Sequence, residues 1–187
     1  LFISLSSIAQ VNLDSLWNVW NDHSQADTSR IEAMYRIAWD GYLFSQPDSA
    51  FYFAQLQYTL AESTNSKKQM ASALNTQGLS FCLKGNYTNA IDFFNKSLIL
   101  YEKICSGYGI GVCLNNIGLV YQDQGDYAKA IEYYSRSLKT AEKLGDKRSI
   151  SRTLCNIGNI YLNQEEYEKA MKYYTNSLKI FEEIGDK

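Results

Sequence analysis

The 187-residue chain holds one proline and one histidine, carries no surplus of positive charge, and contains no apolar run long enough to cross a membrane. Each shortage excludes something. Proline interrupts helices, so its near absence suits a chain built of long ones. A net charge of −2 leaves nothing to neutralise phosphates, and nucleic acid is not an expected partner. No stretch approaches the ~20 apolar residues that a membrane helix needs, so no membrane contact is expected within these residues. The four cysteines, Cys82, Cys105, Cys113 and Cys155, form no C-x-x-C pair and have no histidine neighbours. They read as small, mostly buried thiols in preference to a disulfide, and no metal site or cofactor is expected. The single histidine, His23, lies in a polar stretch and reads as a surface residue, not a catalytic base.

What is present is repetition. Residues 114–138, LNNIGLVYQDQGDYAKAIEYYSRSL, return as residues 154–178, LCNIGNIYLNQEEYEKAMKYYTNSL. Gly78, Gly118 and Gly158 are 40 apart, and so are Ala90, Ala130 and Ala170. Phe94, Tyr134 and Tyr174 keep the same step, as do Ser97, Ser137 and Ser177. A fixed period of this size marks an array of stacked units. Each unit reads as two helices. Leu154, Ile157, Gly158 and Tyr161 fall at i, i+3, i+4 and i+7, and Ala130, Ile131, Tyr134, Leu138 and Ala141 form a second helical stripe. Between them, QGDY supplies a glycine able to end a helix in the left-handed conformation; Gly145 and Gly185 do so after the second helix. First helices are expected near 70–84, 110–124 and 149–164, and second helices near 87–105, 127–144 and 167–184.

The division that follows has a degenerate first repeat at 29–69, then repeats at 70–109, 110–149 and 150–187. Ala50 lies 40 residues before Ala90, and Pro47 stands where a helix start tolerates proline. Residues 11–28 are expected to form a helix and loop covering the open end. Residues 1–10, LFISLSSIAQ, are apolar with the small-x-small triplet Ser7-Ile8-Ala9 before Gln10, which reads as the tail of a signal peptide, the alternative being a short first helix packed on the domain. The array is expected to continue past residue 187.

These residues resemble the tetratricopeptide repeat pattern, W-x2-L-G-x2-Y, then A-x3-F, then P. The pattern's glycine falls on Gly78, Gly118 and Gly158, its tyrosine on Phe81, Tyr121 and Tyr161. Its alanine falls on Ala90, Ala130 and Ala170, its phenylalanine on Phe94, Tyr134 and Tyr174. Leu74, Leu114 and Leu154 replace the tryptophan, and the final proline is absent. The resemblance implies an all-α, right-handed α-solenoid of stacked helix-turn-helix repeats. A period of 40 in place of about 34 suggests a second helix longer by about a turn and a half. The segment from Asp14 to Glu62 is also similar to the one that opens exported arrays in bacterial adenylate/guanylate cyclase-like proteins and sensor histidine kinases. That similarity implies a sensory or scaffolding part on the exported, periplasmic side of a bacterial cell.

In such arrays the face of the first helices opposite the packing stripe lines a concave groove for extended peptides. The resemblance places Asn75, Leu79, Asn115, Asn116, Leu119, Gln122, Arg152, Asn156 and Asn159 there. Asparagine suits this role because its amide both donates and accepts, and the alternative is a solvated or helix-bridging asparagine row. Of the lysine, arginine and asparagine set with which some members hold a peptide carboxylate, only Arg152 and Asn116 have counterparts, with no lysine beside them. The glycine-rich GYGIG at 107–111 follows no strand, which argues against a dinucleotide loop, and it reads as a loosened turn between repeats. No nucleophile–base set is visible, so no enzyme is expected in these residues. The expected partner is a protein or extended peptide. The alternative is a self-association module that pairs two copies, with Tyr174, Leu178, Phe181 and Ile184 on the last helix as the pairing face.

Overall fold

The computed structural model describes residues 12–185, all of whose regular elements are helices. The signal-peptide reading of residues 1–10 lies outside the described residues. Helix α1 is Leu13–Asn21 and α2 is Asp27–Arg36, which runs on as a π-helical segment, Ile37–Tyr42. Then follow α3 (Pro47–Ser63), α4 (Lys67–Leu83), α5 (Tyr87–Lys103), α6 (Gly107–Asp123), α7 (Tyr127–Leu144), α8 (Lys147–Asn163) and α9 (Tyr167–Glu183).

Equal helices, not a long second one, fill the period of 40. Helices α3 to α9 have 17 residues each, apart from α7 with 18. The residues added to the shorter repeat are thus shared between both helices. The turns explain this. A left-handed residue recurs every 20 positions, at Asn65, Gly85, Cys105, Gly125, Gly145, Glu165 and Gly185. At each of the first six, the next residue's N–H closes back on the preceding helix, as from Asn86 to the Phe81 carbonyl at 2.9 Å and from Asp126 to the Tyr121 carbonyl at 2.9 Å. That bond satisfies a carbonyl orphaned at the helix end. The same residue then opens the following helix: Asn86, Ser106, Asp126 and Asp146 each accept from a backbone N–H three residues on. One short turn stops a helix and starts the next.

GYGIG is not a loosened turn. It is the first turn of α6, which Ser106 caps through the Gly109 N–H at 3.4 Å. Gly109 is glycine for a packing reason, because a Cβ there would collide with the Tyr101 ring.

Helices α4 and α5, α6 and α7, and α8 and α9 pack as hairpins, and the second helix of each packs on the first of the next. Within a hairpin an aromatic ring fills the space left by a glycine. A Cβ on Gly118 would lie 2.7 Å from Tyr134, and one on Gly158 would lie 2.7 Å from Tyr174. Ala90, Ala130 and Ala170 are buried beside these pairs. The core continues through Phe94, Leu98, Leu114, Ile117 and Val120, then Tyr134, Ile157 and Ile160. Tyr133 instead stacks on Tyr121 at 5.5 Å under the Arg136 guanidinium. Ser97, Ser137 and Ser177 each donate to a carbonyl of the partner helix 26 residues upstream, at 2.7–2.9 Å.

Repeat one departs from this plan. Ala38 and Ala54 occupy the glycine and aromatic positions, both fully buried. Helix α1 packs on α2: the Arg30 guanidinium donates to the Trp20 carbonyl at 3.1 Å and lies over the Trp20 ring.

Candidate functional site

First helices meet one another along the stack, α2 with α4, α4 with α6 and α6 with α8, whereas the second helices make no comparable contact among the described residues. The first helices therefore form the inner wall of the curve. On that wall lies a cavity of about 440 Å³ lined by all four of them, with α3 and the end of α5 contributing from behind.

Four of the nine sequence-predicted groove residues line it: Asn75, Leu79, Asn116 and Arg152. Asn115, Leu119, Gln122, Asn156 and Asn159 do not. The asparagines bridge repeats. Asn116 donates from Nδ2 to Asn75 Oδ1 at 2.9 Å, and Asn156 does the same to Asn115 at 3.1 Å. Asn75 and Asn115 are only 7% and 6% exposed, so part of each amide serves the stack. Two more polar groups turn toward their own hairpin: Gln122 accepts from the Tyr134 hydroxyl at 2.9 Å and Asn159 from the Tyr174 hydroxyl at 2.7 Å. These bonds satisfy phenols that the ring packing would otherwise strand.

Of the remaining lining, Ser72 and Val112 fall on the same helix face that the sequence assigns to the groove, whereas the rest was not singled out, although the 40-residue step leads straight to it. From Arg152 the step reaches Val112, Ser72 and Glu32, all of which line the cavity. Lys68 lines it too, a lysine in the same cavity as Arg152 and Asn116 that the sequence reading did not associate with them. It lay hidden because Lys68 belongs to another repeat and sits one turn away in register. Aromatic walls come from Tyr35, Trp39, Tyr101 and Tyr108. Burial first, then the Glu32 and Asp40 carboxylates, push the Tyr35 phenol up, and burial pushes Tyr101 up. Both stay neutral hydrogen-bonding rings at physiological pH.

Three lining residues break the internal repeat. Gln57 occupies the position of Ser97, Ser137 and Ser177. It is 1% exposed, and its Oε1 has no hydrogen-bond partner. Tyr101 stands where Ala61 and Ala141 stand, with Phe181 the equivalent in the last repeat, and Gly109 where Gln69 and Ser149 stand. The last two compensate each other in volume: a small residue becomes a ring, and its neighbour loses its side chain to admit it. The four thiols are free; Cys113 is buried and Cys82 and Cys155 half-buried, but Cys105 is exposed in a turn, so the expectation of mostly buried thiols does not extend to it. No cluster of three His, Cys, Asp or Glu residues suited to a metal occurs among the described residues. Nor is any described helix long and apolar enough to cross a membrane.

An α-solenoid of equal helix hairpins with an inner-wall cavity is the class this geometry defines. The tetratricopeptide repeat family model matches residues 69–143 and 112–183, and the chain belongs to that family. No curated protein sequence matches it. Among solved structures it is similar to aspartyl phosphate phosphatase F from Bacillus subtilis, with a TM-score of 0.78 and 20% identity over 87% of this chain and 43% of that one. It is similar to RapI in its apo form, with a TM-score of 0.77 and 18% identity over 94% and 66% respectively. A third similar structure is NprR in complex with its cognate peptide NprX, with a TM-score of 0.68 and 23% identity over 90% and 48%. The chain spans less than two thirds of each of these proteins. At such identities the likeness concerns the fold.

Proposed function

We propose that the chain is a peptide-binding module whose inner-wall cavity holds a short extended peptide. One observation carries this reading: the internal repeat fails at the cavity. Packing alone is served in the other repeats by serine at the Gln57 position and in two others by alanine at the Tyr101 position. Here the larger residues line the cavity, one with an unsatisfied amide oxygen. Leaving a buried polar atom unpaired costs about 1–3 kcal/mol, which a bound peptide group would recover. Support of a coarser kind comes from the similar fold of NprR, whose structure holds a peptide. The peptide site belongs, in this reading, to the sensory part of a larger bacterial signalling protein, cyclase-like or histidine kinase, on the exported side of the cell; the opening segment's similarity motivates that context.

The test is affinity selection from a pool of random pentapeptides, with bound peptides identified by mass spectrometry. A comparison protein carries Gln57→Ser, Tyr101→Ala and Gly109→Ser, which restore residues found at equivalent positions. The wild-type chain should retain peptides, and the restored one should fold yet retain at least about tenfold less. Equal retention would remove the cavity from the account.

A second reading, self-association, draws on α9, where Met171 is 62% and Leu178 58% exposed. Tyr174, Phe181 and Ile184, expected to share that face, are half-buried. Light scattering tests it: a mass that doubles with concentration and reverts in Met171→Lys/Leu178→Lys supports pairing, and a constant monomer mass rejects it.

A further inference from the structure

The cavity is chemically lopsided. At the α2 end, Glu32 offers a carboxylate, and Tyr35 and Trp39 stack with ring centroids 6.0 Å apart. From α3, the second helix of the same repeat, comes Gln57, its Oε1 unpartnered. Carboxylate and amide oxygens accept hydrogen bonds, and the faces of aromatic rings are electron-rich. The group that fits all of these at once has several N–H donors, no acceptor and a positive charge. The two cations of the lining, Lys68 and Arg152, lie on α4 and α8. Glu32 on α2 and Arg152 on α8 therefore stand at opposite ends of the row of first helices, with Lys68 on α4 between them.

We propose that the α2 end of the cavity is a recognition site for the free amino terminus of a short peptide, which runs from there toward Arg152 with its carboxylate on the basic side. The inference rests on the peptide-binding reading above and adds what fixes direction. An ammonium donates to Gln57 Oε1 and to the Glu32 carboxylate and rests against the Tyr35 and Trp39 faces, a cation–π setting. Replacement of serine by glutamine in repeat one then has a purpose. A serine hydroxyl at this position is consumed by a carbonyl of its own hairpin, as Ser97 is by Ala71, whereas the longer glutamine keeps its oxygen unspent. The positive end favours a free carboxylate by simple charge complementarity.

The experiment uses three pools of the same random pentapeptides: free at both ends, amino-acetylated, and carboxy-amidated. Retention by the whole chain is counted by mass spectrometry. Acetylation removes the ammonium and should lower retention at least about tenfold; amidation should lower it about threefold to fivefold. Glu32→Gln and Gln57→Ser should each shrink the acetylation effect to twofold or less while leaving the amidation effect in place. Arg152→Gln should do the reverse. Glu32 and Arg152 are exposed side chains, so these two variants keep their fold, with circular dichroism as the check. Acetylated and free pools retained equally would overturn the inference while peptide binding stood. So would enrichment of lysine or arginine peptides irrespective of acetylation, which would assign the site to a side-chain cation. Retention of nothing from any pool would reject the peptide-binding reading, and this inference with it.

Discussion

The Tyr134 ring packs so closely on Gly118 that a single added methyl would sit 2.7 Å from its Cδ1. The same relation holds between Phe94 and Gly78 and between Tyr174 and Gly158, and it joins the two helices of each hairpin. In an open helix interior, glycine is worse than alanine by about 1 kcal/mol. Here the close approach reverses that preference. Gly118→Ala should destabilise the chain by about 1–3 kcal/mol through overpacking. Gly111 lies in the same helix, but a Cβ there would meet only Thr140 Cγ2 at an ordinary 3.8 Å. Gly111→Ala should therefore stabilise by up to about 1 kcal/mol. Thermal melts read both; a stabilising Gly118→Ala would show that the hairpin packing is wrongly described.

The asparagine rows carry a second prediction. Asn116→Ala removes the donor to Asn75 Oδ1, and Asn156→Ala removes the donor to Asn115. Because the accepting asparagines are buried, each change should cost about 1 kcal/mol or more of stability besides any loss of binding. Denaturant titration distinguishes this from a row that serves ligand alone, which would leave the midpoint unmoved.

The thiols predict a pH dependence. Burial pushes both Cys82 and Cys113 from the ordinary 9.0 up to about 11. The folded chain thus holds these protons more tightly than the unfolded one. The stability they contribute is complete below pH 9 and is lost as pH rises towards 11. Melting temperature should fall across that window, and replacing Cys82 and Cys113 with alanine should flatten the fall. At neutral pH, iodoacetamide should modify exposed Cys105 first and Cys113 only on unfolding. Rapid labelling of Cys113 in the folded chain would contradict its burial.

The repeat was legible in the sequence because packing writes the same letters wherever the same contact recurs. Gly118 and Ala130 recur at fixed steps because the geometry around them recurs. GYGIG misled because glycine was read as a breaker, when Gly109 exists to admit the Tyr101 ring. The asparagines were legible as a polar row, with bridging between helices as one of its readings, but the pairing was not, since hydrogen bonds 41 residues apart follow the superhelix and not the helix period. The cavity was the least legible part. Its distinctive residues, Gln57, Tyr101 and Gly109, are those that depart from the repeat, and a search for matches passes over departures. Lining them up with Ser97, Ala141 and Ser149 would have exposed them.

A crystal structure of the chain with a pentapeptide selected by it tests the central claim most directly. The account predicts a peptide in the cavity crossing α2, α4, α6 and α8, with a ligand N–H within about 3 Å of Gln57 Oε1. A peptide bound on the outer helices α5, α7 or α9, with the cavity empty and Gln57 Oε1 still unpartnered, would contradict it.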